Sequence, residues 1–158
     1  EVLPGVMLMD TCAAGVWGAL LDPQARGHLE SGLTVINLGN AHTFAALVRG
    51  DRLHGIYEHH TGLLSPEKLW DQVGRFQQGQ LTNAEVFDDQ GHGCAYAPDF
   101  NAKDSFAFTV ITGPRRRLAQ GGPGVFAAPF GDMMLSGCFG LVAAFLELEH
   151  YPANLADY

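Results

Sequence analysis

Thr34-Val35-Ile36-Asn37-Leu38-Gly39-Asn40-Ala41-His42-Thr43-Phe44-Ala45-Ala46-Leu47-Val48-Arg49-Gly50-Asp51-Arg52 carries the pattern that decides the fold. Leu33 to Leu38 and Phe44 to Val48 are short apolar runs, the first rich in β-branched residues, and each reads as a strand. Gly39-Asn40-Ala41-His42-Thr43 is the turn between them. Arg49-Gly50-Asp51-Arg52 is a second turn, and Leu53 to His59 is a third strand that Thr61-Gly62 ends. Consecutive strands joined by tight turns make an antiparallel meander.

Helices and strands alternate outward from this unit. Ahead of it, Asp10 to Leu21 reads as a helix with Ala13, Ala14, Trp17, Leu20 and Leu21 on one face. Asp10 or Thr11 caps its start, Asp22-Pro23 stops it, and Gly15 and Gly18 imply a close neighbour. Behind the meander, Ser65-Pro66-Glu67 opens a helix whose buried stripe is Leu69, Trp70, Val73 and Phe76, closed by Gly79. Thr82-Asn83-Ala84-Glu85 has capping-box spacing and starts a short helix. Gly91 to Ser105 reads as a polar loop and Phe106 to Thr112 as a buried, parallel-type strand. Gly113-Pro114-Arg115 breaks that strand and opens another helix. Val125 to Pro129 is a last strand, and a long apolar helix runs from Asp132 to Glu149 with Met133, Met134, Leu135, Phe139 and Leu141 in the core. The order β-β-β-α-β-α-β-α, with a helix in front, predicts an α/β domain. Its mixed sheet has about five strands with helices on both faces.

Composition sets the limits. A chain of 158 residues suits one domain, 1–158, with its core over 30–150. Apolar residues at 47% and charged ones at 16% describe a compact globular protein. A net charge of −8 disfavours nucleic acid and anionic membrane as partners, although Arg115-Arg116-Arg117 is a local basic cluster able to hold a phosphate. The three cysteines, Cys12, Cys94 and Cys138, are far apart with no C-x-x-C spacing, which fits free thiols in a reducing compartment. No apolar run is long enough to span a membrane, and Glu1-Val2-Leu3-Pro4 is no signal peptide. The expected location is cytoplasmic, and a start without Met reads as a fragment or processed chain.

Candidate chemistry clusters at the turns. Gly39 leaves backbone N–H groups open, Asn40 tolerates a left-handed conformation and Thr43 adds a hydroxyl, an array able to hold phosphate oxygens. The same array is also an ordinary hairpin turn, and His42 either contacts the anion or covers the strand edge. Gly113-Pro114-Arg115-Arg116 could bring amides and guanidinium groups to an anion or form a solvated basic turn. His59 and His60 alternate across their strand, so Glu58 and His60 share a face, where His42 could join them in a polar cleft. A zinc site would need further ligands such as His92 or Cys94; no spacing fixes them, and no metal set is assigned. Cys94, between polar residues, is a nucleophile candidate without a placed base.

The strand order and the two glycine turns resemble one lobe of the actin-like ATPase superfamily, the ribonuclease H-like fold of sugar kinases, heat-shock chaperones and actin. GNAHTFAALV (39–48), EHHTG (58–62), ITGPRR (111–116) and PFGDMMLSGCFGL (129–141) are similar to an uncharacterised prokaryotic family within it, sometimes labelled "putative pyruvate formate-lyase activating enzyme". The resemblance covers about Asp10 to Glu149. It implies that Asn37, Gly39, Asn40, His42 and Thr43 face a nucleotide phosphate, with Gly113, Arg115 and Arg116 on the adenosine side. It implies ATP or ADP with magnesium as ligand and a missing N-terminal lobe as partner. A lobe left alone would expose the surface that meets its partner, which favours a homodimer. Asn37 stands where relatives usually carry aspartate, so the alternative is a catalytically degenerate binding or assembly module. The activating-enzyme label implies a C-x-x-x-C-x-x-C cluster site that these cysteines cannot supply.

Overall fold

The computed structural model describes residues 6–103 and 105–149. The meander forms as β1 (Leu33–Leu38), β2 (His42–Arg49) and β3 (Arg52–His60), each antiparallel to the next. β4 (Gly93–Tyr96) adds antiparallel to β3. β5 (Thr109–Thr112) lies parallel to β1, and β6 (Val125–Phe126) parallel to β5. The result is one six-stranded mixed sheet in the order β4-β3-β2-β1-β5-β6. β4 falls inside the stretch expected to be a polar loop. It forms because the outer edge of β3 would otherwise carry unpaired N–H and C=O groups. His42 belongs to β2 rather than to the turn, and the strand expected over 125–129 shortens to two residues.

Side chains alternate between two cores. Ile36, Leu38, Ala45, Leu47, Tyr57 and Ile111 meet α3 (Pro66–Gln77) and α4 (Asn83–Asp88) on one face. Leu33, Val35, Ala46 and Val110 meet α1 (Thr11–Ala19) and α2 (Pro23–Arg26) on the other. Helices therefore cover both faces. The caps read from sequence are present: Asp10 accepts from Cys12 N–H, Ser65 from Lys68 N–H, and Thr82 and Glu85 close a reciprocal capping box.

Several helical expectations change. The buried positions of α1 are Ala14, Gly15, Val16, Gly18 and Ala19, whereas Trp17 is 39% exposed and Ala13 is exposed. α1 is sandwiched between the sheet and α5 (Ser136–Leu148), and its small residues mark the surfaces of closest approach. An added Cβ on Gly140 would stand 2.6 Å from Gly18 N and closer still to Ala14 O, so this glycine serves helix–helix rather than helix–sheet contact. Because α5 lies over α1 through Ser136, Gly140, Ala143 and Ala144, the supposed core residues Met134, Leu135 and Leu141 are exposed. The segment after Gly113 makes only a 3₁₀ turn over Arg116–Ala119, and Asp132 caps a 3₁₀ turn over Met133–Leu135 instead of α5 itself. Among the described residues no helix is long and apolar enough to cross a membrane.

Candidate functional site

Strand register lines up one row of side chains across the sheet. Thr112 pairs with Asn37, Asn37 with Phe44, Phe44 with Glu58, and Glu58 with Gly93. Directly opposed residues point to the same face, and here it is the face that α1 covers: Gly15 rests against the Asn37 amide so closely that a Cβ there would collide with Nδ2. At the carboxyl ends of the parallel pair β1 and β5 a cleft of about 120 Å³ opens between Thr11, Gly15, Asn37, Thr112, Gly113, Pro114, Met133, Met134, Ser136 and Gly137. None of these side chains ionises near neutral pH. Its polar lining is Thr11, Asn37, Thr112 and Ser136.

The walls of the cleft are tied together. Thr112 Oγ–H donates to Ser136 Oγ at 3.3 Å, and Ser136 Oγ–H to Met133 O at 2.7 Å. Gly113 has φ +101°, and its N–H donates to Met133 Sδ at 3.0 Å. A side chain there would also stand 2.6 Å from Asn37 Oδ1, so both conformation and space require glycine. Arg116 reaches Met133 Sδ at 3.7 Å and so occupies the rim. Arg115 donates its backbone N–H to Leu38 O at 2.9 Å while its side chain is exposed.

The hairpin turn is more occupied than its sequence suggests. Gly39 N–H donates to His42 O at 2.9 Å, and Gly39 is not left-handed; it is small because His42 O approaches its Cβ position to 2.6 Å. Thr61 Oγ–H donates to Gly39 O at 2.9 Å and sits 2.9 Å from the buried Thr43 Oγ. The expected open amide at Gly39 and open hydroxyl at Thr43 are therefore engaged internally, and Asn40 does not use a positive φ. Asn40 and Ala41 remain exposed at the tip.

Two positions beyond the row, His42 and His60 face each other across β2 and β3. His92, just before β4, joins them, held by its N–H to Glu58 O at 3.0 Å. The ring centroids stand 5.0, 4.8 and 4.6 Å apart, and ligand-capable nitrogens of all three lie within 4.8 Å of one another. Glu58 Oε1 is 3.9 Å from His42 Nδ1. Partial burial and the neighbouring His92 and His42 rings hold the His60 imidazole below its usual range. Burial, then the Glu58 and Asp10 carboxylates, push the Cys12 thiol up to about 11. The grouping of His42, Glu58 and His60 is readable from strand alternation; of the two further ligands considered, His92 and Cys94, the pairing of β4 with β3 brings His92 to the cluster and buries Cys94 in the opposite core.

On the opposite face His59 is fully buried, with Nδ1 3.2 Å from His60 O and Nε2 3.1 Å from Asp89 Oδ2. Asp89 also pairs with Lys68, whose hydrogen bond is the main cause holding its carboxyl below the usual range. This set is structural support for α3 and α4. Cys94 is buried, gives its S–H to Leu81 O at 3.2 Å, and has its thiol raised by burial, which removes it as a nucleophile.

The chain belongs to the family described as "Putative pyruvate format-lyase activating enzyme (DUF1786)", which matches residues 1–118. The match takes in the meander, β4, β5, Gly113 and the three clustered histidines. No curated protein matches the chain.

Proposed function

We propose that this chain is a nucleotide- or phosphate-binding lobe of an actin-like ATPase or kinase-type protein, with the ligand's phosphate in the cleft between Asn37, Thr112 and Gly113. The observation that carries this reading is the position of the cleft. It opens where two parallel strands end, the place where α/β sheets hold ligands. The sheet segment β3-β2-β1-β5-β6, with an antiparallel meander feeding two parallel strands, supports the actin-like, ribonuclease H-like comparison.

Size supports a shared site. A volume of about 120 Å³ takes a phosphoryl group, well short of the roughly 300–1,000 Å³ of a pocket for a drug-sized ligand. In this reading a missing N-terminal lobe supplies the second wall, the magnesium ligands and the catalytic carboxylate. The apolar exposure of Met134, Leu135, Leu141, Val142 and Leu148 supports a surface that such a lobe, or a second copy in a homodimer, would cover. The free cysteines support a reducing, cytoplasmic setting.

Asn37 favours a second reading, a degenerate module that binds without turnover, because the cleft contains no acid or base. The activity in the family's description is not carried over, since Cys12, Cys94 and Cys138, on α1, β4 and α5, lack the C-x-x-x-C-x-x-C spacing of a cluster site. Calorimetric titration with ATP or ADP and Mg²⁺ tests the proposal: binding is expected, weakened by Asn37→Leu. No heat at millimolar nucleotide would sink it. Hydrolysis with Asn37 in place would remove the degenerate reading.

A further inference from the structure

We infer that His42, His60 and His92 form a mononuclear binding site for a divalent transition-metal ion of the zinc class. Two of the ligands are fixed by the sheet, since His42 and His60 are directly opposed on β2 and β3. The third is fixed by the start of β4, where His92 N–H is bonded to Glu58 O and Gly93 at φ +118° turns the chain. Three rings from three separate places in the sequence therefore converge with nitrogens inside 4.8 Å. Zinc–imidazole bonds of about 2.0–2.1 Å place tetrahedral nitrogens about 3.4 Å apart, so binding draws the three rings together from their spacing of up to 4.8 Å.

Among the described residues no hydrogen bond engages the His60 or His92 ring, and His42 Nδ1 has only the Glu58 carboxylate at 3.9 Å. A carboxylate beside one ring nitrogen orients an imidazole so that the other nitrogen meets the ion. The donor set selects the metal class, because imidazole suits zinc and its first-row neighbours, whereas magnesium and calcium take oxygen. Three protein ligands on a partly exposed surface leave a coordination position open to water, the arrangement of a reactive rather than a purely structural zinc. This site is separate from the phosphate cleft: the two share no lining residue.

The test uses untagged, chelator-stripped protein without nucleotide. Zn²⁺ and Co²⁺ are titrated by calorimetry, with metal content by elemental analysis and cobalt coordination by visible absorption. One ion per chain at micromolar metal is expected, with cobalt bands of low-symmetry nitrogen coordination. His92→Gln lies in a loop and keeps its backbone bond; it and His60→Ala should each weaken binding at least tenfold, while His28→Ala leaves it unchanged. Circular dichroism confirms that the variants are folded. No stoichiometric binding, or equal binding in the folded His92→Gln and His60→Ala proteins, would overturn the inference.

Discussion

Gly140→Ala is a one-carbon change that measures how tightly α1 and α5 are held together. The new Cβ would stand 2.6 Å from Gly18 N and closer to Ala14 O, both backbone atoms of α1 that cannot rotate away. Reaching ordinary contact at about 3.5 Å requires the helices to part by roughly 1 Å or more. Overpacking of this kind costs about 1–3 kcal/mol, and rigid backbone on both sides puts the value at the upper end. Alanine's better helix propensity returns about 1 kcal/mol. The net expected loss is therefore about 1–2 kcal/mol, or a fall in Tm of roughly 2–8 °C for a chain of this size. Gly137→Ala on the same helix is the internal control, since nothing lies within 4 Å of its Cβ position, and it should be neutral or slightly stabilising. Urea unfolding followed by far-ultraviolet circular dichroism reads both. The same sign and size for the two substitutions would refute the close crossing. Because Gly15 on α1 rests on Asn37, the Gly140 variant should also bind the cleft ligand more weakly.

Tyr57→Phe removes a buried 2.6 Å hydrogen bond to Gln72 Oε1 and leaves that oxygen without its donor, so a loss of about 1–2 kcal/mol is expected in the same assay. Glu85 accepts from Arg75 and then Thr82, which depress its carboxyl to about 2. Its folded value lies below its unfolded one, so its contribution is present above the ordinary carboxylate range and is lost as pH falls toward 2. In an NMR titration, Arg75→Ala should move Glu85 back up toward the ordinary value. Thiol labelling at pH 8 should modify exposed Cys138 first, with Cys12 and Cys94 slow because burial raises both thiols. Equal rates for all three would contradict the described burial.

Local signals made part of the fold legible. The glycine turn, the Ser65-Pro66 start and the Thr82/Glu85 box each act within a few residues, and each marks an element that is present. What failed to show depends on distant partners. β4 is four residues with no strong strand signature, and it exists because β3 offers an edge. The buried stripe of α1 is not legible because the helix is apolar all round, and its closest packing uses glycine and alanine rather than the largest side chains. Met134, Leu135 and Leu141 look like core for the same reason, whereas Met133 is buried as expected. In the site, Asn37 and Gly113 are legible from their turns, but Thr112 and Ser136 are not, since strand register brings Thr112 beside Asn37 and a hydrogen bond from α5 adds Ser136. Gly39 and Thr43 look available because sequence does not reveal that His42 O takes the Gly39 N–H, or that Thr61 folds back onto Gly39 O and the Thr43 hydroxyl.

The most direct test of the phosphate-cleft account is residue-resolved. Amide and side-chain NMR shifts are recorded while ADP and Mg²⁺ are added to the protein. The perturbations should centre on Gly15, the Asn37 side-chain amide, Thr112 and Gly113. An unchanged spectrum at millimolar nucleotide, or shifts confined to residues away from the ends of β1 and β5, would contradict it.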